Sequence, residues 1–128
     1  MAFVDDTILI PIRIKNPFLG LEYPESGNVH AVLDTGFTGF LLVPEAVFTQ
    51  LGFSEMRSIE VEAVTADSRT VRLRGVYGTI IFPDVNLSVD GLIETGKNVQ
   101  EILLGVRGVQ RLRLYIDSCN RVISYNRC

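Results

Sequence analysis

The chain has 128 residues, 47% of them apolar and 21% charged, with a formal net charge of −3. That length suits one hydrophobic core, so residues 1–128 are read as a single domain, and the balance is that of a folded chain rather than a disordered one. No basic block tracks phosphates, and no stretch nears the roughly 18 apolar residues of a membrane span, so neither nucleic acid nor a bilayer is the expected partner.

The N-terminal segment places Asp5 and Asp6 before an apolar run that Pro11 and Arg13 interrupt. A signal peptide needs a positive start and a longer apolar stretch, so a soluble, cytoplasmic chain is expected. Thr7 to Ile14 is rich in β-branched residues with partial alternation, which predicts a half-buried strand, and Pro11 within it predicts an edge position or a bulge. Asn16 to Gly20 and Pro24 to Asn28 are turn chemistry. Val29 to Leu33 is a second strand, running straight into Asp34-Thr35-Gly36.

Phe40 to Val43 is a short apolar strand. Pro44 suits the first position of a helix, Val43, Val47 and Leu51 recur at helical spacing, and Gly52 suits its C′ position. Ile59 to Val64 alternates, and Ala66-Asp67-Ser68 turns it into Thr70 to Arg74 as a β-hairpin. Val76 to Phe82 and Val85 to Ile93 continue the strand pattern around Pro83-Asp84. Ile102 to Leu104 is a buried type of run ending in Gly105. Val106 to Arg111 predicts one or two helical turns, and strands from Leu112 to Ile116 and from Arg121 to Tyr125 flank a turn at Asp117 to Asn120. Many short strands, one short helix and no β-α alternation predict a mostly β, closed barrel or sandwich.

Chemistry concentrates at Asp34-Thr35-Gly36. An aspartate after an apolar strand is costly to bury unless it is hydrogen-bonded or shares its charge. The glycine behind it lets backbone N–H groups approach the carboxylate, and the Thr hydroxyl can lock the loop. On its own the tripeptide also fits a structural aspartate in a tight turn.

In context the chain resembles the retropepsin-like aspartic peptidases, single-domain prokaryotic members in particular. The resemblance rests on Val32-Leu33-Asp34-Thr35-Gly36, on its extension from Asp34 to Leu41, and on Leu103-Leu104-Gly105 downstream with a short helix and a final strand after it. It covers about residues 7 to 125, and the hairpin from Ile59 to Leu73 takes the place of the family's flap. It implies an acid-protease-type β-barrel with one lobe per chain. Asp34, Thr35 and Gly36 would be catalytic, and Phe37, Thr65, Ala66, Asp67 and Ser68 would face substrate. Leu103, Leu104 and Gly105 would be the structural second motif. The sequence departs from the viral pattern at bulky Phe37, at a flap tip without glycine, and at Val106, where arginine often follows the second-motif glycine.

The implied chemistry needs two carboxylates sharing a proton, and the chain offers one Asp-Thr-Gly. Asp117 in Ile116-Asp117-Ser118-Cys119 lacks the glycine and reads as a turn residue. A homodimer with Asp34 from each copy is therefore expected, acting on peptide or protein substrates. The alternative is a weakly active or inactive barrel that binds peptides or serves assembly, and a small barrel for an unrelated ligand ranks last. No cofactor or metal is implied. With a single His and no Cys-x-x-Cys, Cys119 and Cys128 read as free thiols. His30 reads as a surface or core-edge residue.

Overall fold

The computed structural model describes residues 2–4, 6–64 and 68–128. Strand β1 (Ala2–Val4) leads into β2 (Thr7–Asn16), β3 (Leu21–Tyr23), β4 (Val29–Leu33) and β5 (Leu41–Leu42), followed by helix α1 (Glu45–Gln50). Then come β6 (Ile59–Val64), β7 (Thr70–Phe82), β8 (Leu87–Thr95), β9 (Leu103–Leu104), β10 (Leu112–Asp117) and β11 (Val122–Arg127). Three 3₁₀ turns join them, at Phe53–Glu55, Pro83–Val85 and Val106–Val109.

The strands close on themselves. Following hydrogen-bonded neighbours, β2 meets β4, then β9, β5, β8 and β7, and β7 returns to β2, giving a barrel of six strands. Closure leaves these six staves without an edge, while β1, β3 and β6 extend the sheet beyond the ring. The expected mostly β barrel with few short helices is what the chain forms.

Pro11 is not on an edge strand. It lies in β2 opposite His30 of β4, yet on the other side β1 pairs only as far as Leu9 and β7 begins only at Arg13. The proline falls in the gap between those two neighbours, where no ladder bond is needed. Ile10, Ile12 and Ile14 alternate from this strand into the core, each fully buried. Thr70 to Phe82 is one strand rather than two, because Gly75 stays in register with both Ile59 and Glu94. β8 likewise runs past Ile93 to Thr95.

Helix α1 starts after Pro44, whose carbonyl accepts the amide of Phe48 at 3.1 Å, and stops at Gly52, which takes a left-handed φ of 78°. It buries Val47 and Phe48, and the Phe48 ring meets that of Phe53 at 5.3 Å. The guanidinium of Arg74 in β7 lies 5.4 Å from the centroid of the Phe48 ring and pairs with Glu45 at 3.1 Å. Buried Asn16 ties the helix end to β2. Its Nδ2 donates to Leu51 O at 2.8 Å, and its Oδ1 accepts the amides of Phe18 and Leu19.

β10 and β11 form a separate two-stranded sheet and are not barrel staves. Tyr125 anchors this hairpin by donating its hydroxyl to Asp84 Oδ2 at 2.9 Å, and burial followed by that bond pushes the phenol above its ordinary pKa. Asp117 is the turn residue of the hairpin, accepting from the Asn120 amide and side chain, bonds that hold its carboxyl below the usual range. Cys119 and Cys128 are both free and exposed.

The barrel depends on one crossing. β9 lies parallel to β4 (Leu33 opposite Leu104) and antiparallel to β5 (Leu41 opposite Leu104), threaded between them. Immediately after it Gly105 passes so close to Gly39 that a Cβ there would collide with the Gly39 carbonyl oxygen. Because the obstacle is backbone, it cannot turn aside. Gly105→Ala is expected to cost about 3 kcal/mol or to prevent folding, read as the urea unfolding midpoint; a cost under about 1 kcal/mol would show slack at the crossing. Asn16→Ala is expected to cost about 2 kcal/mol by leaving the Leu51 carbonyl and two amides without their partner, measured the same way.

Candidate active site

Asp34 follows β4 directly, so the strand ladder delivers it to the crossing. Its amide donates to Leu104 O at 3.0 Å, and its carbonyl accepts the Phe37 amide at 3.1 Å. The side chain turns back over its own loop: Oδ1 accepts the Gly36 amide at 2.9 Å. A Cβ on Gly36 would stand 3.1 Å from the same oxygen, so glycine is what lets the amide come this near. Asp34 is half-buried, whereas Thr35 and Gly36 at the tip of the loop are exposed.

The far side of the loop is held by the segment after β9. Gly105 donates to Phe40 O at 3.1 Å, Val106 to Phe37 O at 2.9 Å and Arg107 to Gly39 O at 3.0 Å. Three consecutive amides thus grip the stretch from Phe37 to Phe40. The motifs Asp34-Thr35-Gly36 and Leu103-Leu104-Gly105, 67 positions apart from Gly36 to Leu103, are brought together through these backbone bonds.

Phe37 is bulky, and the structure shows where the bulk goes. Its ring lies in a niche made by two glycines. A Cβ on Gly39 would approach Phe37 Cε1 to 2.6 Å, and one on Gly105 would approach Cδ2 to 2.7 Å. The ring therefore packs against both glycines, and Phe37 contributes to the lining of the cleft.

The cleft has a volume of about 1100 Å³. Asp34, Gly36, Phe37, Leu42 and Leu103 form its floor, and Val64, Val71 and Leu73 of the β6–β7 hairpin face it from above. The hairpin pairs from Ile59 opposite Gly75 to Val64 opposite Thr70. Of the four tip residues expected to face substrate, Thr65, Ala66 and Asp67 lie outside the described residues. Ser68 is exposed with a left-handed φ of 65°, and it is not among the described residues that line the cleft.

Sequence reading missed two contributions. The segment from Gly96 to Glu101 lines one wall of the cleft, with Asn98 at a left-handed φ of 65°. Its turn-like Gly96-Lys97-Asn98 was the available signal. The other is Glu94, a carboxyl only 5% exposed. Burial raises its pKa and the charge of Arg107 partly offsets the rise. His30 is exposed on the outside of β4. Among the described residues no group of three or more His, Cys, Asp or Glu side chains could hold a metal ion, and no helix is long and apolar enough to cross a membrane.

No family model matches the chain. A protein of Archaeoglobus fulgidus, described only as uncharacterized, is 36% identical over 126 residues, spanning 98% of both chains. Among solved structures, a retropepsin-like aspartic protease from Rickettsia conorii matches with a TM-score of 0.61, over 91% of this chain and 88% of that one, at 14% sequence identity. The chain thus belongs to one family with the Archaeoglobus fulgidus protein, and its barrel has the fold of a retropepsin-like aspartic protease.

Proposed function

We propose that the chain is a single-domain half of a homodimeric aspartic endopeptidase. The observation that carries this reading is the setting of Asp34, a carboxylate presented by a glycine-bound loop at the floor of a cleft, beneath a β-hairpin. Thr35 and Gly36 beside it are exposed in the single chain, which leaves the loop tip open to a second copy across a two-fold axis. In the dimer, Thr35 would bond across that axis and the two Asp34 carboxyls would lie side by side.

Two carboxyls so placed cannot both ionise easily, so they hold one proton between them. The ionised member takes a proton from a water molecule while the protonated member donates to the oxygen of the scissile carbonyl. The water oxygen bonds to the carbonyl carbon, and the tetrahedral intermediate collapses as the amine leaves with a proton. The titration belongs to the pair rather than to either carboxyl. An extended peptide would lie between the floor and the β6–β7 hairpin, its backbone pairing as a strand and its side chains reaching Leu42, Leu103 and Val71. Action on proteins in the cytoplasm is the setting we infer.

A second reading, a barrel that holds peptide without cleaving it, draws on Phe37, which lines the cleft next to Gly36. Cleavage separates the two. With an unfolded protein as substrate between about pH 3 and pH 7, wild type is expected to produce peptides detectable by mass spectrometry. Asp34→Asn should lose about 10³-fold in rate while melting within a few degrees of wild type. Equal cleavage by both proteins would remove Asp34 from the chemistry, and peptide binding without cleavage by a dimeric wild type would favour the second reading. Because the active site needs two copies, specific activity should fall on dilution through the dimer's dissociation range, in step with the loss of dimer by analytical ultracentrifugation. Activity that persists in the monomer would overturn the two-chain site.

A further inference from the structure

Glu94 is held firmly at its backbone and sits against the Asp34 loop with its side chain. In β8 it lies opposite Gly75 of β7 and Leu42 of β5, and its carbonyl accepts the Val43 amide at 2.9 Å. Its carboxyl reaches the loop from behind the cleft floor: a Cβ on Gly39 would stand 2.8 Å from Glu94 Oε1. Among the described residues, no hydrogen bond or ion pair reaches this carboxyl, although Glu94 is only 5% exposed. The other buried polar side chains differ in this respect. Asn16 bonds Leu51 O, Thr79 bonds Asp90 and Thr95 bonds Val43 O.

We propose that Glu94 is a positioning residue for the Asp34 loop, its carboxyl bearing on Gly39 so that gain or loss of its proton changes how the loop is seated. The proposal rests on the peptidase reading for its functional meaning but not for its structural content. Gly39 is pressed from one side by Glu94 and bonded from the other by the Arg107 amide at 3.0 Å, and Phe37 stacks on it from within the loop. Phe37 in turn bonds the Asp34 carbonyl at 3.1 Å. A displacement at Gly39 therefore reaches Asp34 through Phe37, which packs on the one and bonds the other.

Partial desolvation beside the loop favours the neutral carboxyl over the charged one. Besides Asp34 at the head of the loop, several charged residues lie on the surrounding elements, Arg72 of β7 and Asp90 of β8 among them. Arg107 follows β9 and acts on Glu94 by its charge, Arg74 of β7 and Glu45 of α1 pair with each other at 3.1 Å, and Lys97 follows β8. Since burial raises the folded-state pKa of Glu94 above its ordinary value, its contribution to stability is full below that ordinary value and is lost as pH climbs through the raised one. The loop is thus seated best in acid, the range in which a shared-proton carboxyl pair works.

The test compares the full-length wild type with Glu94→Gln, a neutral near-isostere, by thermal unfolding from about pH 4 to pH 8 and by the amide resonance of Gly39. The melting points should coincide in acid, and the variant should melt about 3–6 °C higher at neutral pH. The wild-type Gly39 amide should show a titration step that the variant lacks. A melting difference that does not change with pH, or the same Gly39 titration in both proteins, would overturn the proposal. Arg107→Gln gives an independent check if Glu94→Gln does not fold: it should move the Gly39 step to higher pH, and an unmoved step overturns the coupling. For cleavage, Glu94→Gln should match wild type in acid and exceed it several-fold at neutral pH, whereas one constant ratio at both would overturn the positioning role. Should wild type cleave nothing, the peptidase reading fails on its own, and melting and resonance still decide the part played by Glu94.

Discussion

The close passage of two backbones at Gly39 and Gly105 is the constraint from which the rest of the molecule follows. β9 is only two residues long, Leu103–Leu104, yet it is the stave between β4 and β5 that lets the barrel close. A strand so short contributes few ladder bonds of its own. The amides of Gly105, Val106 and Arg107 supply the rest by bonding to Phe40, Phe37 and Gly39. That arrangement requires backbone to lie on backbone, and a side chain at Gly105 would meet the Gly39 carbonyl. The same bonds that complete the barrel therefore also fix the loop behind Asp34. Fold and site share one piece of packing, so a lesion there cannot damage one and spare the other.

This shared packing explains how a large aromatic is tolerated at the floor. Phe37 lines the cleft, and two nearby positions without a Cβ, Gly39 and Gly105, open a niche for its ring. Packing of this kind is unforgiving because interiors are filled to crystal-like density. The ring replaces the atoms that larger residues at Gly39 and Gly105 would have supplied, so the niche is filled and the cleft keeps its opening. The three residues act as one unit, and substitutions among them should not add independently.

Legibility in the sequence followed how local the determining interactions are. The Asp34 loop was readable because an apolar strand, an acid and a glycine are contiguous, and α1 because Pro44 and Gly52 bracket it. The barrel closure through Leu103-Leu104-Gly105 was readable only through resemblance, since nothing in three residues says which strands they separate. Pro11 misled because an interior strand can change neighbours along one side, a property of the assembled sheet rather than of β2. Glu94 escaped notice for a related reason. Alternation along β8 puts it on the same face as Ser88 and Asp90, both exposed, and only the tertiary arrival of Gly39 covers that face at its end.

The distribution of buried polar groups separates structural from chemical roles. Asn16, Thr79 and Thr95 each spend their hydrogen-bonding capacity on a partner within the chain, joining β2 to α1, β7 to β8 and β8 to the segment after β5. Such partnered groups help to specify one arrangement of the elements they join. Among the described residues the Asp34 carboxylate accepts one bond, from the Gly36 amide to Oδ1. Glu94, beyond the floor, has no partner among the described residues and answers to solvent protons instead. The two carboxyls meet one glycine-rich loop at different residues, Asp34 at Gly36 and Glu94 at Gly39. A change of charge on the buried one is therefore a mechanical event for the loop that carries the other.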